Sequence, residues 1–372
     1  MRDLLVTTHT PALRSGQAMR TYGVARALAT HRGLDLLYVR FGAAEPDAAF
    51  RAIPGVALHE LVPSRGLTRM LAYAHARASA VPAGFARGIS HELVSGAGAM
   101  AGDRERGRVI ADGPIVAAAL RGLARRRPVI YNAHNLESAF RGELSGTAER
   151  AQHLRKFERA LLARASESWM VSEADIVGAR ELCPQAKLRY VPNVVDVAAI
   201  AAVQPPVGAL RALFVANFSY EPNRGGLHFL LDDVMPRVWE QLPQARLALV
   251  GPGLEQPASS DARVETLGFV EDLRDAYARS SCAVVPLLQG GGTPLKLIEA
   301  LAYGLPVIAT TRAGAALELH DGEHCLLAAG GEEFAAALVR VLRDGAPQLA
   351  RAGRQVALER YSIEALSSLV AP

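Results

Sequence analysis

Short apolar runs alternate with longer amphipathic runs along most of the chain, and this alternation limits the possible folds more than any other feature. Buried strands of a parallel sheet give short runs rich in Val, Leu and Ile, and the helices that cover both faces give the longer runs. The sequence therefore predicts an α/β protein. The predicted strands are residues 4–7, 34–39, 108–111, 129–133, 168–171, 188–191, 212–216, 246–250, 264–267, 283–286 and 306–309. Predicted helices include residues 17–30, 114–125, 144–164, 225–241, 272–279 and 293–303.

One segment interrupts the alternation. Residues 197–208 contain Pro205, Pro206 and several small residues without a clear period, which is typical of a linker. A chain of 372 residues also suits two domains better than one core. Residues 332–372 have a helical pattern and no further convincing strand. Because open α/β sheets bind ligands beyond the carboxyl ends of their strands, we expect the ligand in the crevice between the two domains.

The strongest chemical signal is the segment GGGTPLKLIE at residues 290–299, which follows a predicted strand. Thr293 suits a helix N-cap, Pro294 the first helical position and Gly304 the C-terminal stop. A helix N-terminus offers free amides and a partial positive charge, and glycines let those amides approach an anion. Lys296 adds a full charge in the first turn, and Glu299 lies one turn deeper on the same face. This pattern predicts a site for a nucleotide diphosphate.

A plain structural interpretation of the same segment remains open. A glycine loop can simply precede an ordinary helix, with Lys296 and Glu299 forming a surface ion pair of about 0.3–0.5 kcal/mol. In both interpretations the apolar residues Ile298, Leu301 and Ala302 pack the helix on the sheet.

Together with LPVIAT at 305–310, this segment resembles the donor-binding signature of the retaining glycosyltransferases of family 4, which have the GT-B fold. Three further segments agree with the same family in order and position, at residues 190–196, 214–223 and 247–253. The agreement is specific in the second half of the chain and looser in the first half. The resemblance implies two Rossmann-like parallel-sheet domains that face each other across a cleft. Residues 1–200 would form an acceptor-binding domain, onto which a helix at about 358–372 packs back, and residues 205–357 a donor-binding domain.

The resemblance also implies roles for matched positions. Glu299 would bind the donor ribose, Lys296 and the amides of residues 291–295 the diphosphate, and residues 268–270 would border the base. The family's first glutamate, eight residues before Glu299, is replaced by Gly291, and of its usual Arg and Lys pair only Arg224 is available. The predicted donor-binding residues are Gly16, Arg224, Gly268, Phe269, Val270, Gly291, Gly292, Thr293, Pro294, Leu295, Lys296 and Glu299. The predicted acceptor or sugar contacts are Gln17, Asn135, Glu137 and Asn217, and the predicted catalytic residues are His134 and Lys296.

Two of these assignments come from the first half of the chain. Ser15, Gly16 and Gln17 follow the first strand and begin a helix, so that backbone amides can face an anion. His134 follows another strand and resembles the family histidine near the transferred sugar. For Glu137, a role in orienting His134 or binding acceptor and a role as a first-turn helix carboxylate both remain open.

The implied reaction transfers a sugar from a UDP- or GDP-linked donor to a hydroxyl of a glycan, a lipid-linked sugar or a small natural product. Lys296 and the helix amides would stabilise the charge that develops on the departing diphosphate. The resemblance implies retention of configuration, with the leaving phosphate assisting the hydroxyl. Without an Asp-x-Asp cluster near a strand end, we expect no metal and no cofactor beyond the nucleotide sugar.

Composition leaves other hypotheses open. Cys183, Cys282 and Cys325 are far apart and predict reduced packing residues, and the absence of a leader or a long apolar run predicts a cytoplasmic protein. The amphipathic residues 65–77 could rest on the inner membrane face. The net charge is +4, and arginine clusters at 104–108 and 125–127 keep a nucleic-acid or anionic-surface binder as an alternative, although we expect no nucleic-acid partner. A sugar-nucleotide epimerase of the same fold is the second alternative.

Overall fold

The computed structural model describes residues 1–13, 15–103, 106–139, 148–206, 208–254, 258–289 and 293–372. It divides into two compact units, one of residues 1–194 with 363–372 and the other of residues 195–362. The predicted Gly291 and Gly292, Arg104 of the first arginine cluster, and the start of the helix predicted at 144–164 lie outside the described residues.

The first unit contains a seven-stranded parallel sheet with the order β3-β2-β1-β4-β5-β6-β7. Its strands are β1 (Asp3–Thr7), β2 (Leu34–Val39), β3 (Val56–Leu61), β4 (Val109–Asp112), β5 (Ile130–Asn132), β6 (Glu167–Met170) and β7 (Leu188–Tyr190). Its helices are α1 (Gly16–Ala29), α2 (Ala48–Arg51), α3 (Leu67–Ala78), α4 (Ala83–Ala86), α5 (His91–Ala101), α6 (Gly113–Ala119), α7 (Ala148–Leu162) and α8 (Glu173–Leu182), with a 3₁₀ turn at Leu123–Arg125. The sheet is buried on both faces, by α1 on one side and by helices such as α6 on the other.

The second unit contains a six-stranded parallel sheet with the order β10-β9-β8-β11-β12-β13. Its strands are β8 (Arg211–Val215), β9 (Arg246–Val250), β10 (Val264–Gly268), β11 (Cys282–Val285), β12 (Val307–Thr310) and β13 (Leu326–Ala328). Its helices are α9 (Glu221–His228), α10 (Met235–Gln241), α11 (Arg274–Ala278), α12 (Leu295–Tyr303), α13 (Thr311–Ala315), α14 (Gly331–Asp344) and α15 (Pro347–Tyr361), and a π-helical segment at Phe229–Val234 joins α9 to α10.

The chain returns to the first unit through α16 (Ile363–Leu369). Ile363 and Leu366 are buried with Leu28 of α1, and the Ser367 hydroxyl lies 2.6 Å from that of Thr30. The sequence places the domain boundaries at 200/205 and about 358, whereas the units of the structure change at 194/195 and 362/363. Near both boundaries, the Val195 N–H donates to the Tyr361 carbonyl at 3.0 Å, within the second unit.

The predicted α/β fold is confirmed, but two strands are missing from the prediction. The edge strand β3 contains His59 and Glu60 and is mostly half-buried, so that it lacks an apolar run. β13 has only three residues and pairs with β12 at the end of the sheet. The helix predicted at 114–125 ends at Ala119, and the one predicted at 225–241 begins at Glu221 and includes the π-helical segment.

All three cysteines are buried and free, as the sequence predicts for packing residues. None of the helices in the described ranges combines the length and the apolar character that crossing a membrane would require.

Gly251 holds the loop after β9 against the end of β8. Its φ is +133°, and a Cβ built on it would lie 1.8 Å from the Ala216 carbonyl oxygen. Phe218 N–H donates to the Pro252 carbonyl at 2.8 Å, so the two loops are bonded as well as packed. Only glycine fits this position without displacing backbone.

We therefore expect Gly251→Ala to lower the free energy of unfolding by about 2 kcal/mol or more. Gly225→Ala is the matched control, because Gly225 lies within α9 with no atom in reach of a new Cβ, and alanine there should stabilise the helix by up to about 1 kcal/mol. Denaturant unfolding of both variants measures the difference. Equal stabilities would contradict the close approach of the two loops.

Candidate functional site

The described donor-binding residues of the second unit lie around the carboxyl edge of its sheet, whereas Gly16 belongs to the first unit. β8 lies between β9 and β11, with β10 beyond β9, so the loops that follow these four strands share that edge. They carry Asn217 after β8, Gly251 after β9, Gly268 at the end of β10 and the approach to α12 after β11. The topology thus places the predicted base, phosphate and ribose contacts at one edge.

The N-cap and the first helical residue of α12 each lie one residue later than predicted. Its N-cap is Pro294, with φ −73° and ψ 95°, and the first turn closes by a bond from the Leu297 N–H to the Pro294 carbonyl at 2.9 Å. Thr293 is therefore not the N-cap, and Pro294 is not the first helical residue; Leu295 is. The end is as predicted, since Gly304 adopts a left-handed conformation with φ 77°. The amides of Leu295 and Lys296 are in the first turn, where no helical carbonyl precedes them.

Lys296 points to the first turn of α9, the helix that follows β8. Its ammonium group donates to the Asn223 side-chain oxygen and lies 5.7 Å from the centre of the Phe214 ring. Asn223 is buried and donates in turn to the Asn217 carbonyl at 2.7 Å, so its orientation is fixed. Burial lowers the pKa of Lys296 to about 8. A negatively charged ligand would raise the pKa of Lys296 towards its usual value, and the charged ammonium group would attract the ligand.

Glu299 has a different partner. Its Oε1 accepts a hydrogen bond from the Tyr277 hydroxyl at 3.0 Å, and the Tyr277 ring stacks on Tyr303 with centroids 4.0 Å apart. Burial raises the pKa of Glu299 to about 7, although the Tyr277 hydrogen bond acts in the opposite direction. Lys296 and Glu299 thus each have another side chain as partner. They do not form the surface ion pair that the plain structural interpretation of this segment predicts.

Residues 268–270 present an exposed aromatic ring. Gly268 has φ +66°, and its carbonyl accepts from the Gly251 N–H at 2.8 Å. The Val270 side chain packs against the core, whereas Phe269 is 71% exposed. An exposed ring on a fixed turn can stack on a flat ligand.

Asn217 and Arg224 are exposed near the start of α9. The Asn217 side chain accepts from the Ser219 N–H at 3.0 Å. Arg224 forms an ion pair with Glu221 and donates to the Ser219 carbonyl at 3.3 Å. A phosphate that binds Arg224 would have to displace Glu221. An exposed ion pair of this kind contributes little energy, so the displacement would cost little.

In the first unit, three neighbouring strands bring a polar cluster together. β4 lies between β1 and β5, so that His9, Asp112 and His134 meet at the carboxyl edge. His134 Nε2 lies 2.8 Å from Asp112 Oδ1, which also accepts from the Asn132 amide at 2.7 Å. The second carboxylate oxygen accepts from the Thr21 hydroxyl at 2.6 Å and lies 4.0 Å from His9 Nε2. Asp112 is therefore the centre of the cluster.

The charges of this cluster are strongly coupled. Burial alone would raise the pKa of Asp112, but the charge and hydrogen bond of His134, with His9 and Thr21, hold it well below its usual range. Burial lowers the pKa of His9, against the attraction of Asp112. Within the described residues, His134 Nδ1 is buried and has no hydrogen-bond partner. An ionised Asp112 orients the His134 ring through Nε2.

Asp112 and His9 are functional candidates that the sequence analysis does not identify. In the sequence, Asp112 is marked by an Asp-Gly-Pro motif that follows an apolar run. In the structure, Gly113 has φ +85°, and a Cβ built on it would lie 3.1 Å from His134 Cε1. The signal for His9 is its position two residues after β1. Neither signal is decisive without knowing that β1, β4 and β5 are neighbours.

The predicted amide site at the start of α1 is exposed at Ser15, Gly16 and Gln17, and the Ser15 hydroxyl accepts from the Ala18 N–H at 3.2 Å. Arg20 lies one turn later in the same helix. It is buried and donates to the Val191 carbonyl at 2.9 Å and to the Asn132 side chain at 2.6 Å. Burial lowers its pKa to about 10.

The segment after His134, which becomes helical at Glu137, is held by two acidic side chains. Glu158 of α7 accepts from the Glu137 N–H at 2.7 Å and the Ser138 N–H at 2.9 Å, and Asp175 of α8 accepts from the Leu136 N–H at 3.1 Å. The Glu137 side chain is itself buried, and Asn135 is half-buried. Burial raises the pKa of Glu158 to about 7, with a contribution from the Glu137 charge.

The described part of the chain contains one cluster of residues that could bind a metal ion. It consists of His320, Glu323 and His324, whose potential ligand atoms lie within 4.8 Å of one another. His324 Nδ1 accepts from the His320 backbone N–H at 3.1 Å, which places the proton of a neutral ring on Nε2. If a metal bound Nε2, the proton of the neutral ring would move to Nδ1. Nδ1 could then no longer accept the hydrogen bond from His320.

The second unit resembles a known protein family. Residues 209–344 match the family described as "Glycosyl transferases group 1". This match covers most of the second unit. Over 167 residues the chain is 32% identical to a phosphatidyl-myo-inositol mannosyltransferase of Mycobacterium leprae (strain TN), which covers 41% of this chain and 44% of that protein. The match therefore spans less than half of the length of this relative.

Solved structures extend the likeness to the whole fold. Sucrose-phosphate synthase from Thermosynechococcus elongatus superimposes with a TM-score of 0.73 at 19% identity, over 99% of this chain and 96% of that one. The Anabaena protein Alr3699/HepE, in complex with UDP and glucose, gives a TM-score of 0.69 at 14% identity, over 99% and 98%. The predicted GT-B fold and the family-4 resemblance are confirmed.

The carboxyl group of Glu158 should make stability depend on pH. Its pKa is about 7 in the folded protein and 4.5 in an ordinary environment, so the native state retains a proton that the unfolded chain loses. Stability from this group is present below about pH 4.5 and is lost as the pH rises through about 7, by up to about 3 kcal/mol. We expect the stability of wild type relative to Glu158→Gln to fall over that range in denaturant titrations.

Glu149→Gln removes an exposed carboxyl from the same helix and is the matched control. Parallel pH profiles for wild type and Glu158→Gln would contradict a protonated Glu158.

Proposed function

We propose that this chain is a glycosyltransferase that moves a sugar from a UDP- or GDP-linked donor to an acceptor hydroxyl. The observation that carries the proposal is the position of Lys296 in the first turn of α12, within a domain that matches a glycosyltransferase family. A half-buried ammonium group with a lowered pKa and neighbouring free amides suits a diphosphate better than a neutral ligand. A solved relative of the same fold is in complex with UDP-glucose, which supports the choice of donor.

In the proposed reaction, the bond between the anomeric carbon and the diphosphate oxygen breaks, and a bond from the same carbon to the acceptor oxygen forms. The hydroxyl proton passes to the departing diphosphate, which leaves as the nucleoside diphosphate. Lys296 and the amides of Leu295 and Lys296 stabilise the charge that grows on the leaving oxygens. Glu299, held by Tyr277, binds a ribose hydroxyl, and Phe269 borders the base.

The residues of the first unit are assigned to the sugar and the acceptor. Asp112 orients His134, whose unpartnered Nδ1 provides the polar atom that faces away from Asp112. Gly16 and Gln17 are exposed at the start of α1, where amides can bind a phosphate or a hydroxyl. Retention of configuration and independence from metal are further parts of the proposal, supported by the family-4 resemblance and by a cation, Lys296, already present in the chain.

A nucleotide panel tests the donor assignment. We expect UDP or GDP to raise the melting temperature more than ADP or TDP, because a ligand that binds only the native state stabilises it. Glu299→Ala should reduce the shift, and Glu333→Ala, an exposed glutamate in the first turn of α14, should not. No shift with any nucleoside diphosphate would contradict the proposal, and salt-sensitive DNA binding in its place would favour a nucleic-acid binder.

The nucleotide that binds then identifies the sugars to be tried as donors. Nuclear magnetic resonance of the product gives its anomeric configuration, and activity in chelator tests metal independence. Inversion, or loss of activity in chelator, would contradict those parts. An epimerised donor formed without acceptor would favour the epimerase.

We also propose that α3 contacts the inner membrane face, where a lipid-linked acceptor would reside. Ala76 is the buried residue of this helix, while Leu67, Met70 and Leu71 are 71%, 69% and 62% exposed beside Arg69. Apolar residues flanked by arginines suit an anionic bilayer surface. Flotation with phosphatidylglycerol vesicles should be lost in Leu67→Ser/Met70→Ser and kept in Val177→Ser, an exposed apolar residue of α8. Equal flotation of all three proteins would contradict this contact.

A further inference from the structure

The first unit contains a cavity of about 820 Å³ away from the residues assigned above. Its wall includes Arg121, Arg125, Arg126 and Arg164. The 3₁₀ turn that carries Arg125 precedes β5, and Arg164 precedes β6. Asp112 and His134, in contrast, lie at the carboxyl ends of β4 and β5. The cavity is therefore at the amino edge of the sheet, opposite the histidine cluster.

The positive charges of this cavity are not compensated. Within the described residues, none of its four arginines forms an ion pair with a carboxylate, although other arginines of the unit do, such as Arg108 with Asp3 at 2.7 Å. Burial lowers the pKa of Arg121, and the charges of Arg164 and Arg125 lower it further. Like charges this close destabilise one another, and a bound anion would relieve the repulsion.

One of these arginines is already fixed in place. Arg121 donates from Nε to the Ala118 carbonyl and from Nη1 to the Ser79 carbonyl, both at 3.1 Å. These bonds hold the guanidinium plane at the end of α6, so that little side-chain entropy is lost when its remaining N–H groups bind a ligand. Guanidinium groups match the geometry of phosphoryl oxygens.

Much of the remaining wall is apolar, although His75 and Ser79 also line it. Ile89, Leu120 and Leu123 line the cavity together with Ala76 of α3. The volume is in the range of small-molecule sites, and a mixed wall suits a ligand that joins an anionic group to a less polar body.

We propose that this cavity is a second binding site, which takes a phosphoryl anion of two or more negative charges on the guanidinium groups of Arg121, Arg125 and Arg164. The site is separate from the donor site, and it does not depend on the proposed transfer reaction. Its phosphoryl group can belong to a free phosphate ester or to a lipid headgroup, because the recognising chemistry is the same.

The test uses Arg125→Ser/Arg164→Ser, since both side chains are exposed and their loss leaves the Arg121 bonds intact. Arg155→Ser/Arg180→Ser is the matched control, with the same charge change on exposed positions of α7 and α8 that do not line the cavity. Circular dichroism establishes that both variants are folded. One arm titrates the intact protein with inorganic tripolyphosphate in a calorimeter, and the other uses phosphatidylcholine vesicles with and without phosphatidylglycerol.

We expect wild type and control to bind alike and the Arg125/Arg164 variant to bind at least about tenfold more weakly, as the loss of two charged contacts implies. If the Arg125/Arg164 variant binds tripolyphosphate more weakly, the cavity is a site for free phosphoanions. If only its binding to anionic vesicles is weaker, the cavity is a site for a lipid headgroup. Equal affinities of the two variants in both arms, or no binding by wild type in either, would overturn the proposal.

Discussion

The contact between the Lys296 ammonium group and the Asn223 side chain is the interaction on which the donor assignment depends. The two residues are 73 positions apart, and each is placed by a different βα connection of the second sheet. Asn223 is in turn fixed by the Asn217 carbonyl, so the loop after β8 sets where the charge lies. A cation held in this way is already positioned before a ligand arrives, which is the condition for stabilising charge that develops during a reaction.

The first unit shows the same principle with the opposite charge. Asp112 is ionised because two histidines, Thr21 and Asn132 surround its carboxylate, despite the cost of burial. Each partner lies at or just after a strand end or in α1. Glu158 and Asp175 then fix the loop that follows His134. Polar groups at both carboxyl edges are thus oriented by neighbouring elements, as parallel sheets allow.

The sequence predicts the fold well wherever a strand is buried on both faces, as in β1, β8 and β9, because burial forces a continuous apolar run. It fails for β3, a mostly half-buried edge strand that needs no such run, and it misses β13 although the residues of that strand are apolar. Lys296, Glu299 and His134 can be found because each stands beside a local signal, a glycine segment or a strand end. Their partners Asn223, Tyr277 and Asp112 cannot, because strand order and helix packing bring them close over long stretches of chain.

Gly291, where the family has its first glutamate, lies outside the described residues. In the first turn of α12, Lys296 is the charged side chain. The most direct test of that charge is calorimetric binding of UDP, UMP and uridine, or of the guanosine series if GDP is the ligand. If Lys296 binds the second phosphate, the diphosphate should bind wild type at least about tenfold more tightly than the monophosphate, and Lys296→Ala should remove most of this preference. Lys156→Ala, which alters an exposed lysine of α7, should retain it. An undiminished preference for the diphosphate in Lys296→Ala would contradict the account.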